Sequence, residues 1–281
     1  MIICHILNVG KGSCSIIDFP SNRLTVIDID NSRLNDDDTL TDPIAYIKKE
    51  FPRRGIFRFI LTHPDLDHMS GLHELATSIA IGNFWDTDNT KSFSDDDWDN
   101  SPYDRRDWDK YQLIRKRNEN PKCLHLLQDA SSDCCWIQDG IRILAPNTTL
   151  VQLGNKGENP EYNHLSYVLM ISHAGARILI GGDATKEAWD EIYSTLGKDA
   201  LKANVFIAPH HGSKNNINER VFSHIAPEFV IASVAEGVDY AYDYSATLAK
   251  EQVLSTKHYG SMKITVKDDG SYTPIIVERN A

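Results

Sequence analysis

The chain has 281 residues, 41% of them hydrophobic and 25% charged, which gives one large domain ample material for a core and is too apolar for a disordered chain. The formal charge of −11 excludes a broad basic footprint for nucleic acid, although two bound divalent ions would offset about four of those charges. No apolar run reaches membrane-spanning length and the first residues lack a signal-peptide pattern, so the expectation is a cytoplasmic protein without a membrane partner.

In chain order, strands are predicted over 3–9, 14–18 and 24–29, with Gly10-Lys11-Gly12 as the first turn. Residues 36–38 read as an exposed acidic loop, and 43–51 as a helix capped by Asp42 with Pro43 in its first turn. A strand over 56–61 runs into a polar cluster, and a helix over 69–81 follows. Residues 84 to about 120 are rich in Asp, Asn and Ser, carry Trp85, Trp98 and Trp108, and end in Arg115-Lys116-Arg117. They read as an insertion within a single 1–281 domain, with a short helix over 111–117. Hairpins are predicted over 136–145 (turn at Asp139-Gly140), over 166–180 (turn at Ala174-Gly175) and over 263–277 (turn at Asp269-Gly270). A helix over 185–196 and buried strands over 205–208 and 229–232 complete the alternation. Strands packed face to face with helices outside them predict an α/β (α+β) fold, an αββα sandwich.

Cys4, Cys14, Cys123, Cys134 and Cys135 show no C-x-x-C spacing, which argues against a cysteine-based zinc site. Their odd number points to free thiols, read as small buried hydrophobes. His5, His73, His125, His173, His224 and His258 have no ligand-like context and read as structural or surface residues.

Chemistry concentrates in Thr62-His63-Pro64-Asp65-Leu66-Asp67-His68. Four donor residues follow an apolar strand within six positions. In extended backbone His63, Asp65 and Asp67 share a face, and Asp67 stands where it can also cap the next helix. One His or Asp here would be an ordinary loop residue; four at this spacing point to metal. Gly181-Gly182-Asp183 follows the apolar run 178–180 and can deliver a bridging carboxylate. Ala208-Pro209-His210-His211-Gly212-Ser213 again places polar groups just beyond a strand.

Together these segments resemble the metallo-β-lactamase superfamily, whose motif is H-x-H-x-D-H with a later Asp and a later His. The nearer resemblance is to the C-terminal domain of the competence DNA-uptake channel proteins (ComEC) and their free-standing relatives, with S-H-P-D-x-D-H-x-x-G, G-D and H-H-G-S. Here these stand as Thr62 to Gly71, Gly182-Asp183 and His210 to Ser213. Val9-Gly10-Lys11-Gly12-Ser13 matches the family opening loosely, with Lys11 and Ser13 in place of Gln and Asp. Asn163 to Leu169 matches a further strand. Tyr242-Asp243-Tyr244-Ser245 departs from the family's Y-G-H-P.

The resemblance implies a metallo-β-lactamase sandwich holding two divalent ions, zinc or manganese, with magnesium as a further option. One ion would be held by His63, Asp65 and Asp183. The other would be held by Asp67, His68, Asp183 and one of the paired histidines, His210 being preferred because it comes first off the strand. His211 would then orient substrate or protonate a leaving group, and Lys214 and Lys11 would contact phosphate. His164 is a further candidate ligand. Asp28, ahead of Asp30, would hold a ligand histidine in place. Asp67, His211 and Lys214 are thus the residues expected to act in catalysis. Asp65, where many superfamily members have His, makes the ligand set harder and favours manganese or magnesium beside zinc.

The expected activity is a phosphodiesterase or nuclease using a metal-bridged hydroxide, acting on nucleic acid or a small nucleotide. A hydrolase of esters, lactones or thioesters on the same fold is the alternative. A non-catalytic, metal-stabilised protein that binds a partner is the third reading.

Overall fold

The computed structural model describes residues 1–34, 37–99, 101–131, 135–213, 215–234, 244 and 248–276. The expectations placed on Asp36, Cys134, Lys214, Tyr242, Asp243, Ser245 and the last residue of the closing hairpin lie outside them.

The chain opens with β1 (Ile2–Ile6), β2 (Ser15–Asp18) and β3 (Leu24–Ile27), then α1 (Pro43–Glu50), β4 (Ile56–Ile60), α2 (Leu72–Ser78) and β5 (Ile81–Asp86). The helix α3 (Arg105–Ile114) and β6 (Lys122–His125) end the first half. The second half runs β7 (Ile141–Ala145), α4 (Thr148–Gly154), β8 (Val168–His173), β9 (Ala176–Ile180), α5 (Lys186–Leu196), α6 (Lys198–Leu201), β10 (Val205–Ile207), α7 (Glu219–Ile225) and β11 (Phe229–Ala232). Then come β12 (Val253–Ser255), α8 (Thr256–Tyr259), β13 (Met262–Val266) and β14 (Tyr272–Ile276).

These strands form two sheets, one ordered β14-β13-β1-β2-β3-β4-β5-β6 and the other β12-β11-β10-β9-β8-β7. Alternation along the strands sorts the apolar side chains into three cores. On β2, for example, Ile17 faces the core between the sheets and Ile16 the opposite side. The outer face of the first sheet packs under α1, α2 and α3 through Ile44, Ile47, Leu72, Leu75, Trp108 and Tyr111. The second sheet packs under α4, α5 and α7 through Leu150, Trp189, Ile192, Val221 and Phe222. The result is the αββα sandwich expected from the sequence.

Several local expectations need correction. The helix over 69–81 is shorter, because Ile79 is already extended and Ile81 opens β5. Phe84 and Trp85 therefore belong to a buried interior strand, and the polar stretch expected to be an insertion begins only after β5. The helix inside it begins at Arg105, earlier than expected, capped by Asp104. Residues 136–140 form turns rather than a first hairpin strand, and β7 pairs with β8 instead. The β8–β9 hairpin does form, with Ala174 and Gly175 both at positive φ, as a tight two-residue turn demands. Among the described residues no helix is long and apolar enough to cross a membrane.

One charge pair is buried between the sheets. Arg58 on β4 donates to Thr25 Oγ1 and to Asp139 Oδ2, each at 3.0 Å, while Arg23 and Ser21 donate to Asp139 Oδ1. The Arg58 guanidinium also lies against the Trp85 and Phe57 rings. Burial pushes its pKa down, opposed by Asp139. Removing one partner of such a pair leaves an uncompensated buried charge. Asp139→Ala is expected to lower unfolding stability by about 3–5 kcal/mol, read from urea denaturation; a loss below 1 kcal/mol, the scale of an exposed pair, would show the pair to be unimportant.

Candidate metal centre

The parallel strands of both sheets end at one edge of the sandwich, and their carboxyl ends deliver the polar residues. Asp28 follows β3, Thr62 and His63 follow β4, Asp183 follows β9, and His210 and His211 follow β10. The backbone turns sharply there: Asp28, His210 and His211 have φ of 56°, 47° and 56°. Non-glycine residues rarely take this left-handed conformation, and strain of this kind gathers at functional sites.

Asp183 is the hub. Its Oδ2 lies 3.5 Å from His68 Nε2, 4.0 Å from His63 Nε2, 4.0 Å from His211 Nε2 and 3.8 Å from His210 Nδ1. Burial pushes the Asp183 carboxyl up, but His68, His211 and His63 outweigh it and hold the group well below the carboxylate range. Burial likewise disfavours a charged His68, yet Asp183 and Asp28 hold its pKa well above the imidazole value. His211 behaves oppositely, its pKa lowered chiefly by burial against the pull of Asp183.

The rings are aimed from behind. His68 Nδ1 donates to Asp28 Oδ2 at 2.8 Å, and Asp28 also accepts from the Thr62 backbone N–H and hydroxyl. His63 Nδ1 lies 3.1 Å from the same hydroxyl oxygen. Because that hydroxyl gives its hydrogen to Asp28, the ring N–H of His63 is the donor. His211 Nδ1 donates to the Ser233 carbonyl at 2.9 Å. Each arrangement leaves Nε2 as the free lone pair, and the Nε2 atoms of His63 and His68 are buried without a hydrogen-bond partner.

Donor atoms of His63, His68 and Asp183 lie within 4.8 Å of one another, as do those of Asp67, His68 and His211. Unpartnered imidazole nitrogens converging on carboxylates, with carboxylate and carbonyl partners behind them, form a donor set that fits divalent ions.

Asp65 stands at the margin, its Oδ2 3.5 Å from His63 Nε2 and its other oxygen paired with Lys91. Burial raises its carboxyl, but His63 and Lys91 prevail and hold it low. Lys91, from the insertion, is the residue that sequence reasoning missed; nothing in its local sequence marks it. Its ammonium also sits over the Tyr162 and Phe93 rings. Lys11 Nζ lies 3.8 Å from Asp67 Oδ2 and donates to Tyr103 Oη, so a lysine flanks each end of the cluster.

The paired histidines differ. His211 is the more buried, with its ring backed by Ser233, whereas His210 has a side chain 40% exposed and, besides Asp183, a long contact to Asn163. Order along the chain suggested His210 as ligand; the left-handed turn at both residues instead sends His211 into the donor group. His164 turns away and bonds Thr185, the cap of α5. Asp30 accepts from the backbone N–H groups of Gly12 and Ser32 and so shapes the first loop. A Cβ on Gly12 would come within 2.1 Å of the Asp67 carbonyl and 2.4 Å of Asp30, which explains glycine there.

No protein-family model matches the chain, and no curated protein matches it. Solved structures do. Tm1679, a metal-dependent hydrolase of the β-lactamase superfamily, gives a TM-score of 0.57 at 11% identity, over 95% of this chain and 100% of that one. The metallo-β-lactamase fold protein YhfI from Bacillus subtilis gives 0.53 at 8% identity, over 98% and 100%. CmlA β-hydroxylase from Streptomyces venezuelae gives 0.53 at 9% identity, over 92% of this chain and 53% of that longer one. The chain thus has the metallo-β-lactamase fold; such distant likeness speaks to fold and not to chemistry.

If Asp28 fixes His68 as described, Asp28→Asn keeps the shape and removes the charge. Metal affinity is expected to fall about 10–100-fold, read by competition with a chromogenic chelator. Unchanged affinity would show that Asp28 is only a structural partner of Thr62.

Proposed function

We propose that the chain is a metal-dependent hydrolase that holds two divalent ions and prefers phosphodiesters. The observation that carries the reading is the convergence on Asp183 of the Nε2 atoms of His63, His68 and His211, those of His63 and His68 being buried without a hydrogen-bond partner. In this reading His63, Asp65 and Asp183 hold one ion, and Asp67, His68, Asp183 and His211 the other. Zinc and manganese both suit this nitrogen and carboxylate set. When bound, such ions activate water near neutral pH and neutralise charge developing on the attacked group.

The chain's own residues do the rest. Asp28 and Thr62 keep the His63 and His68 rings in one orientation, and the Ser233 carbonyl does so for His211. His210, half-exposed beside Asp183, takes the role of proton donor to the leaving oxygen. The phosphodiester preference rests on the resemblance to the competence proteins and on Lys11 and Lys91. Both reach the carboxylate cluster in a chain of net charge −11, and each is a cation able to pair with a phosphate oxygen. That Tm1679 is a metal-dependent hydrolase supports the broader class, while the β-hydroxylase shows that the fold also serves other chemistry.

The protein loaded with zinc or manganese is expected to cleave bis(p-nitrophenyl) phosphate, and Asp183→Ala to reduce this to background. Lys91→Ala is expected to raise KM on the order of tenfold, the worth of one charge-assisted hydrogen bond. Turnover of lactones or thioesters without phosphodiester cleavage would overturn the substrate preference. Metal uptake without any turnover would favour a partner-binding protein.

A further inference from the structure

A second group of donors lies one strand away from His63. The strands β5 and β6 are parallel, with Phe84 opposite Cys123 and Asp86 opposite His125. Alternation therefore puts Asp86, Cys123 and His125 on one face, at the carboxyl ends of two neighbouring strands. Their donor atoms all lie within 4.8 Å of one another. His125 Nδ1 is 4.0 Å from Asp86 Oδ2, and Cys123 Sγ is 4.0 Å from His125 Nε2.

Asp86 is fully buried, and its two oxygens differ. Oδ1 accepts from the Tyr111 hydroxyl at 2.8 Å and from Asn89. Oδ2 has no hydrogen-bond partner. Arg115 offsets its charge, with Nε 3.3 Å away, but that guanidinium directs its hydrogen bonds to the backbone and side-chain oxygens of Asn89. A buried carboxylate oxygen left without a donor is costly, so something beyond Arg115 is called for. A tetrahedral zinc with bonds of about 2.0–2.3 Å separates its ligand atoms by roughly 3.3–3.8 Å. The two 4.0 Å contacts use different ring nitrogens of His125; with one atom from each residue the donors lie within 4.8 Å of one another and would close by about an ångström around one ion, which side-chain rotation can supply.

We propose that Asp86, Cys123 and His125 form a zinc site of their own, sharing no residue with the Asp183 centre, which fastens the edge strand β6 to β5. The two anionic ligands, carboxylate and thiolate, balance the dication, and the thiol proton leaves to solvent. Water completes the four positions on the exposed side of His125. Tyr111 of α3 and Arg115, which caps its C-terminal end, brace Asp86 from behind, so the ion also ties that helix to the sheet. The lone-pair geometry depends on strand pairing, which is why a search for C-x-x-C spacing does not reveal it.

Cobalt(II) tests this directly, since a thiolate ligand gives a near-ultraviolet charge-transfer band that nitrogen and oxygen ligands do not. The full chain titrated with cobalt is expected to show that band, and Cys123→Ser and His125→Ala each to bind one metal equivalent fewer and to lose it. Asp183→Ala, which empties the other centre, is expected to keep it. His125 lies half-exposed on an edge strand, so its variant reports even if Cys123→Ser does not fold. Absence of the band in the parent protein, its survival in Cys123→Ser, or unchanged stoichiometry in both variants would overturn the proposal.

Discussion

The structure turns on a buried carboxylate. Asp183 sits at the end of β9 with its side chain 8% exposed, where an isolated negative charge would be prohibitively costly. Four imidazoles approach it from two directions: His63 and His68 from the first sheet, His210 and His211 from the second. The far ends of the two sheets are thus brought into register by electrostatics as well as by the apolar core between them. Asp65 and Asp67 add further negative charge at the same place, and Lys91 and Lys11 answer only part of it. A site with this surplus of anionic donors is built to receive cations.

The rest of the fold serves that end. Three apolar cores hold the parallel strands stiffly, so that the loops leaving them need few degrees of freedom. What freedom remains is removed locally. Asp28 accepts three hydrogen bonds from Thr62 and His68, and Asp30 fixes the loop through Gly12. The left-handed backbone at Asp28, His210 and His211 is the cost of placing side chains where regular strand geometry would not. On the first sheet, the insertion between β5 and β6 returns α3 to the outer face and Lys91 to the edge of the centre.

Much of this was legible in the sequence, for physical reasons. A strand of alternating or continuous apolar residues announces where it ends, and the cluster from His63 to His68 and Gly181 to Asp183 follow such ends. The resemblance marked Asp28 as a partner for one of the histidines, and it accepts from His68 Nδ1. How His210 and His211 divide the site depends on the left-handed turn they share, which puts His211 among the donors with Asp67 and His68 and leaves His210 beside Asp183. Phe84 and Trp85 were read with the polar stretch that follows, so β5 was missed; composition averaged over a window hides a short strand at its border. Lys91, and the pairing of Asp86 with Cys123 and His125, depend on which strands become neighbours, and no local pattern carries that information.

The central claim is that the imidazoles around Asp183 face metal. Crystals of the protein grown with manganese or zinc, with diffraction collected on both sides of that metal's absorption edge, would test it most directly. The account predicts anomalous peaks between Asp183 and the Nε2 atoms of His63, His68 and His211. A well-ordered map with no anomalous signal there, and with those nitrogens hydrogen-bonded to water or to Asp183 alone, would contradict it.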